Sequence, residues 1–235
     1  FEDVTAAVSE LRDKLQDVLR DSWTNISLMV TEVDVLLSEP EPEPKSRAGF
    51  LRYSCEITLD PNTANTWLGL SEGNRKVTWM DQDQFYSSHP DRFTYYYQVL
   101  SRESLTGRCY WEVEWRGKVY VSVAYKSISR EGNGNECVFG YNDKSWALYC
   151  SQNSYGFSHN SIWTSISGPV SSRVGVYLDH TAGILSFYSV SETMTLLHRV
   201  QTRFTEPILA GVYVWESAKF CKLKKPDYLS LLFNY

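Results

Sequence analysis

The chain has 235 residues, a formal net charge of −5 and 43% hydrophobic residues, which is enough for one substantial core. No apolar run is long enough to span a bilayer, and no charged-then-apolar leader opens the chain, so we expect neither a membrane-spanning segment nor a signal peptide. Because the first residue is Phe1 rather than Met, we expect the sequence to be part of a longer protein.

The negative charge is concentrated at the start of the chain. Residues 1–44 hold eleven acidic and three basic side chains, whereas residues 45–235 hold seventeen acidic and twenty basic ones. Neither segment contains the basic stripe that would neutralise the phosphates of a nucleic acid. We therefore expect no nucleic-acid partner.

An amphipathic helix is predicted over residues 1–38. Its first apolar residues are spaced by four and three positions: Val4, Val8, Leu11, Leu15 and Val18. The stripe then slips by one residue and continues from Leu19 to Leu37, which excludes an uninterrupted heptad coil. Two interpretations remain open: the end of a coiled coil that makes a homodimer, or a helix that packs on its own domain.

An acidic, proline-rich linker is predicted over residues 39–49. The repeated Glu-Pro pairs from Glu39 to Pro44 remove backbone donors and favour an extended, stiff conformation. We interpret this segment as the boundary between two modules.

The remaining chain has the pattern of an all-β, antiparallel two-sheet β-sandwich. Its centre is a predicted hairpin in which Cys109–Trp115 and Val119–Val123 flank a turn at Arg116-Gly117-Lys118. A second predicted hairpin joins Arg173–Asp179 to Ile184–Val190. Further short strands are predicted at residues 55–59, 67–70, 76–79, 138–139, 146–149, 194–200 and 208–214, with a long polar stretch over residues 150–169.

Three short motifs carry a resemblance to a known family. They occur in this order: Leu59-Asp60-Pro61, Tyr110-Trp111-Glu112-Val113-Glu114 and Leu178-Asp179-His180. The chain resembles a PRY-SPRY domain, with the PRY part near Phe50–Leu100 and the SPRY part near Ser101–Leu223. His180 stands where the family often has an aromatic residue.

The resemblance implies a concanavalin-like sandwich over residues 50–223, followed by a tail at residues 224–235. The helix and acidic linker ahead of it resemble the C-terminal half of a tripartite-motif (TRIM) protein, particularly of the expanded fish groups.

No catalytic or metal site is predicted. Glu112 and Glu114 share one strand face about 7 Å apart, but no nucleophile or histidine motif accompanies them, and we expect solvated strand charges. The four histidines are isolated, and no cofactor motif is present. The five scattered cysteines include no CxxC pair, so we expect free thiols in a reducing compartment, and hence a cytoplasmic protein.

Surface recognition is the function that remains, and the resemblance implies a binding face formed by loops and strand ends. Aromatic and arginine side chains are favoured anchors because they bring a large contact area with few rotatable bonds. The candidate partner-binding residues are Arg75, Tyr120, Tyr149, Ser151, Tyr155, Tyr213, Trp215 and Glu216. Four other tryptophans are assigned to the core: Trp67, Trp111, Trp115 and Trp146.

The resemblance implies a non-catalytic module of a TRIM-type ubiquitin ligase, with a role in innate immunity, that binds a protein or peptide ligand. Pairing through residues 1–38 would make it bivalent. Two other classes stay open. One is a domain that binds a carbohydrate or small molecule, and the other is the C-terminal domain of a pore-forming toxin or of an immune receptor.

Overall fold

The computed structural model describes residues 42–224 together with Arg12, residues 14–18 and Ser22. Arg12, residues 14–18 and Ser22 are helical and exposed. Most of the helix predicted over residues 1–38 and nearly all of the tail at residues 224–235 lie outside the described residues. The chain divides into two compact units, Phe1–Glu43 and Pro44–Tyr235.

Two antiparallel sheets build the second unit, which confirms the predicted sandwich. The seven-stranded sheet contains, in spatial order, β1 (Leu68–Ser71), β2 (Lys76–Trp79), β13 (Ser217–Phe220), β4 (Arg108–Arg116), β9 (Arg173–Asp179), β10 (Ile184–Val190) and β11 (Met194–Gln201). The six-stranded sheet contains β3 (Gln98–Leu105), β12 (Ile208–Val214), β5 (Val119–Tyr125), β6 (Ser145–Cys150), β7 (Tyr155–His159) and β8 (Ile162–Ile166). A short helix, α1 (Arg47–Leu51), and a 3-10 turn at Asn135–Cys137 complete the described elements.

The core lies between the two sheets. Strand β4 contributes Trp111, Val113 and Trp115, which are at most 6% exposed. Strand β5 contributes alternate valines, including Val121, from the opposite sheet, and Trp146 follows on β6. Three of the four tryptophans assigned to the core therefore lie there, whereas Trp67 is 36% exposed.

The predicted central hairpin of β4 and β5 is wrong. Strand β4 pairs with β9 and β13, whereas β5 pairs with β12 and β6 in the other sheet. The chain crosses between the sheets at Gly117, whose φ of 71° favours glycine. Because each strand has a complete apolar face, stacking the two faces across the core buries both.

Two predicted strands do not form, and in each of them a side chain accepts one backbone amide. Around residues 55–59 the only bridges are isolated ones at Ser54 and Leu59, and the Glu103 carboxylate accepts the Thr58 amide at 2.8 Å. At residues 138–139 the Phe139 amide donates to the side-chain oxygen of Gln98 at 2.8 Å. Strand β4 nevertheless lies at the centre of its sheet, and the β9–β10 hairpin has the predicted bounds.

Two aspartates of the family motifs have structural roles in turns. Asp60 accepts the Asn62 amide at 3.0 Å and closes the turn at Pro61. Asp179 accepts the Ala182 amide at 2.9 Å at the shoulder of the β9–β10 hairpin, and Arg108 also contacts it at 2.7 Å.

The expectation that all five cysteines are free thiols is wrong. Cys55 and Cys109 form a disulfide with a Cα–Cα distance of 5.6 Å. The other three, Cys137, Cys150 and Cys221, are free, and the first two are buried. The disulfide ties the segment ahead of the sheets to the start of β4.

Candidate recognition surface

Three tyrosines form a row across the outer face of the six-stranded sheet. Tyr213 on β12 lies directly opposite Tyr120 on β5, and Tyr120 lies directly opposite Tyr149 on β6. The ring centroids are 5.8 Å and 5.2 Å apart. Cross-strand partners share one face of a sheet, so the row points away from the core that the β5 valines line.

Further aromatic rings extend this row at both ends. Trp215 stacks on Tyr213 with centroids 4.1 Å apart, and Tyr96 meets the other edge of Tyr213 at 6.0 Å. At the opposite end Trp163 on β8 lies 5.7 Å from Tyr149. We call the aromatic surface the set formed by these rings and their neighbour: Tyr95, Tyr96, Tyr120, Tyr149, Trp163, Tyr213 and Trp215.

The aromatic surface combines a buried centre with exposed ends. Tyr120 is 7% exposed, whereas Trp215, Trp163 and Tyr95 are 41%, 49% and 60% exposed. Such a distribution provides a rigid platform with large side chains available to a partner. Tyrosine and tryptophan are enriched at the centres of protein–protein interfaces, and the aromatic surface has this composition.

Two tyrosines of the row, Tyr213 and Tyr120, stay protonated well above neutral pH. Burial raises the pKa of Tyr213 to about 12, and the neighbouring tyrosines add to the shift. Burial likewise raises the pKa of Tyr120, and a contact of 3.5 Å with the Tyr141 hydroxyl adds to it. The surface therefore offers neutral hydroxyls and apolar ring faces rather than charge.

Two other predicted residues lie next to the row in sequence. Ser151 is half-buried in the turn after β6, where its hydroxyl contacts that of Ser154 at 3.0 Å. Glu216 is exposed directly after Trp215, and its side chain lies close to Gly117. Their roles in binding stay predictions.

Two predicted residues are placed elsewhere. Arg75 belongs to the β1–β2 turn of the other sheet, where it pairs with Glu56 at 3.1 Å. Tyr155 is 1% exposed in the core, and its hydroxyl accepts the Ser171 amide at 2.9 Å. Tyr155 is therefore a core residue that leaves almost no surface for a partner to contact.

Three members of the aromatic surface were not among the sequence candidates: Tyr95, Tyr96 and Trp163. The run of three tyrosines at residues 95–97 was a visible signal for the first two. Trp163 lies in the stretch that was interpreted only as polar.

The paired carboxylates on β4 are structural. They share a face as predicted, but Glu112 is fully buried rather than solvated. Arg47 donates to it from two nitrogens at 2.7 and 3.0 Å, and Tyr110 and Arg173 contact it at 2.8 and 3.2 Å. Burial favours a higher pKa for Glu112, but the bonds from Arg47 and Tyr110 outweigh it, so the pKa is lowered.

The seven-stranded sheet carries two neighbouring depressions of about 500 and 580 Å³ on its charged outer face. Both are lined by Glu72, Glu114 and Lys219, and Cys221 lines the second. Burial raises the pKa of Cys221 to about 11, so its thiol is protonated and a poor nucleophile near neutral pH.

Within residues 42–224 and the few described helical positions, His, Cys, Asp and Glu side chains form no cluster suited to a metal ion. In the same part of the chain, no helix combines the length and apolar character needed to cross a bilayer.

Comparisons with known proteins agree with this fold. Residues 57–105 match the SPRY-associated domain, PRY, and residues 108–223 match the SPRY domain. The structure of the TRIM65 PSpry domain aligns with a TM-score of 0.70 and 25% identity, covering 77% of this chain and 100% of that one.

Two curated relatives cover most of this chain. Mouse tripartite motif-containing protein 16 is 37% identical over 212 residues, which is 86% of this chain and 37% of that protein. Stonustoxin subunit beta of Synanceia horrida is 40% identical over 177 residues, which is 74% of this chain and 25% of that protein. This chain therefore spans well under half the length of either relative.

SPRY domains are non-catalytic binding modules, and those of tripartite-motif proteins bind protein ligands. Here both parts of the domain are matched in order, and the two sheets superpose on a solved example. The chain belongs to the PRY-SPRY family.

Proposed function

We propose that this chain binds a protein or peptide ligand on its aromatic surface. The observation that carries the proposal is the row of Tyr213, Tyr120 and Tyr149, with partly exposed tryptophans at both ends. Aromatic side chains held by their neighbours lose little entropy on binding, and their hydroxyl and indole groups supply hydrogen bonds. A ligand that covers Trp215 and Trp163 would bury apolar area on a preformed platform.

The proposal extends to the whole protein as the substrate-recognition part of a TRIM-type ubiquitin ligase with an innate-immune role. One observation favours this over a toxin subunit. The match to tripartite motif-containing protein 16 covers 86% of this chain, which is more than the second unit, Pro44–Tyr235, contains. The match therefore includes part of the first unit. The match to stonustoxin subunit beta covers less. A RING-type pattern of cysteines and histidines upstream would support the ligase proposal. A toxin-like upstream sequence would favour a toxin subunit instead.

Bivalency through residues 1–38 belongs to the same proposal. Two linked copies would bind a repetitive target more tightly, because the second contact becomes intramolecular. Light scattering of the full chain and of a chain that begins at Pro44 tests this. A smaller number of chains per particle after truncation supports pairing, and an unchanged number contradicts it.

A cytoplasmic location is also proposed, and the Cys55–Cys109 disulfide provides its test. Disulfides are rare in the cytosol, so in that compartment most copies would carry two thiols at these positions. Alkylation of intact cells followed by mass spectrometry distinguishes the two forms. A majority of thiols supports the cytoplasm, and a majority of disulfides places the protein in an oxidising compartment.

The binding proposal is tested by a pair of matched tryptophan substitutions. Affinity capture with the intact chain identifies a partner, and calorimetry then compares Trp215→Ala with Trp67→Ala, because the two side chains have similar exposure, 41% and 36%. A binding anchor costs about 2 kcal/mol or more on truncation, so we expect Trp215→Ala to weaken binding roughly 30-fold. Trp67→Ala should have no effect on affinity. Equal affinities of the two variants would overturn the assignment.

A further inference from the structure

Among the described residues, no element covers strand β8, which is an edge of the six-stranded sheet. It is the last strand in the sheet order, and Ile162 and Trp163 are 68% and 49% exposed. Natural proteins protect such edges with charged residues, prolines or bulges, because an open edge is a template for another strand. Strand β8 pairs with β7 without a bulge, and the sequence from Ser151 to Ser172 contains no Asp, Glu, Lys or Arg.

The turn before β8 determines which backbone groups of the strand face outward from the sheet. Asn160 and Ser161 both have positive φ, of 50° and 60°, and form a two-residue turn between β7 and β8. In such a hairpin the residues flanking the turn exchange hydrogen bonds, and bonded pairs then alternate with non-bonded ones. Ile162 therefore bonds towards β7, whereas Trp163 and Ser165 direct their N–H and C=O groups away from the sheet.

We propose that β8 pairs antiparallel with β8 of a second copy of this chain. With Thr164 on the two-fold axis, Trp163 lies opposite Ser165 of the second copy and exchanges both backbone hydrogen bonds with it. Ile162 then lies opposite Ile166 of the second copy. The exposed Ile162 side chain gains an apolar neighbour, and every contact is made twice.

A second copy suits this edge better than an unrelated charged segment does. A net charge on an edge strand would repel the same net charge on a second copy, but β8 and its flanks carry no Asp, Glu, Lys or Arg. The apolar ends of the strand also match under the two-fold, because its pattern of Ile, Trp, Thr, Ser and Ile places one isoleucine at each end.

This pairing would join two aromatic surfaces into one. Ser165 lies opposite Gly156, and Gly156 lies opposite Tyr149, so Trp163 and Ser165 are on the outer face of the sheet. The dimer would therefore have a continuous twelve-stranded sheet, built from two six-stranded ones, with aromatic rings on one face of both halves. The pairing itself does not depend on what the aromatic surface binds.

The test uses the full chain with Thr164→Lys, which would place two ammonium groups beside the two-fold axis. The matched control is Thr193→Lys, the same change at an exposed position between β10 and β11. Sedimentation velocity over a range of concentrations should show a wild-type association step that Thr193→Lys retains. We expect Thr164→Lys to raise the dissociation constant of that step at least tenfold.

A second variant, Ser165→Pro, removes one outward N–H and leaves the hydrogen bonds to β7 in place. It should weaken the same step, with an unchanged circular dichroism spectrum as the check on folding. Any pairing through residues 1–38 is common to all variants and cancels in the comparison. The proposal is wrong if the wild type shows no such step, or if Thr164→Lys leaves the step unchanged. It is also wrong if Thr164→Lys affects only the capture of another protein, because β8 would then accept a strand of that partner.

Discussion

The indole ring of Trp163 lies over the backbone of Gly156. A Cβ atom built on Gly156 would come within 2.0 Å of Cζ2 of Trp163, which no real pair of atoms tolerates. Glycine is required here by the close approach of the ring, since Gly156 has no positive φ. The absence of a side chain at Gly156 thus allows Trp163, at one end of the aromatic surface, to lie against β7.

Gly156→Ala is therefore expected to displace Trp163 and weaken partner binding. Because the half-exposed ring can move into solvent, the loss of stability should be smaller than the ~1–3 kcal/mol that overpacking costs in a closed core. Calorimetry with the captured partner should give similar affinities for Gly156→Ala and Trp163→Ala. The double variant should be no weaker than either, because both changes remove the same ring from its place.

Matching affinities of Gly156→Ala and the wild type would show that the placed ring does not contribute to binding. A fully additive double variant would show instead that Gly156→Ala acts through the backbone of β7.

Tyr155→Phe is expected to lower stability and leave binding unchanged. The phenol accepts the Ser171 amide at 2.9 Å and lies 3.4 Å from two carbonyl oxygens, those of Pro169 and Ser171. Removing a buried hydroxyl with such partners costs about 1–2 kcal/mol. Chemical denaturation measures the loss, and the comparison variant Tyr149→Ala should instead weaken binding. Weakened binding by Tyr155→Phe would restore Tyr155 as a site residue.

Elements whose signals are local were predictable from the sequence. Strands β9 and β10 alternate cleanly, and Gly183 between them has a φ of 72°, so both bounds follow from the pattern. Strands β7 and β8 were missed because their glycine, serine and threonine residues dilute the alternation. The four-residue strand Ser217–Phe220 was also missed, although β1 and β2, which have the same length, were predicted.

Which strands become neighbours is not a local property. Alternation shows that β4 and β5 each bury one face, and it is equally compatible with pairing side by side or stacking across a core. The same limit applies to the site. Tyr155 lies opposite Cys150 and faces inward, whereas Gly156 lies opposite Tyr149 on the outer face. One residue of register therefore separates a core tyrosine from a surface position.

Reduction of the Cys55–Cys109 disulfide is expected to destabilise the domain. The two cysteines are 54 residues apart in sequence. Closing a loop of this length restricts the unfolded chain by about 4 kcal/mol in the entropic model, which corresponds to a fall of about 10 °C in melting temperature. Calorimetry with and without a reductant measures this shift.

The control for the disulfide is Cys221→Ser, which removes a free thiol and should keep the full response to reductant. Cys109→Ser should melt at the temperature of the reduced wild type and lose the response. Equal melting temperatures of the oxidised and reduced wild type, with reduction verified by mass, would show that the bond does not constrain unfolding.

Glu112→Gln is expected to destabilise the domain at neutral pH by about 3 kcal/mol. The change removes the buried charge that holds Arg47 and Arg173, and breaking a buried pair typically costs about 3–5 kcal/mol. We expect the lower end of that range because the two arginine side chains are 41% and 34% exposed. Urea denaturation of both proteins provides the difference in free energy of unfolding.

The pH dependence of that difference separates charge from packing. Because the pKa of Glu112 is lower in the folded state, its contribution is fully present above the ordinary glutamate pKa of about 4.3 and is lost as pH falls through the lower folded value. The gap between wild type and Glu112→Gln should therefore be constant above pH ~5 and shrink below pH ~4. Glu114→Gln, on the same strand face and also paired with Arg173, is 43% exposed and should cost less than about 1 kcal/mol. A gap that stays constant down to pH ~2 would assign the effect of Glu112→Gln to lost packing rather than to its charge.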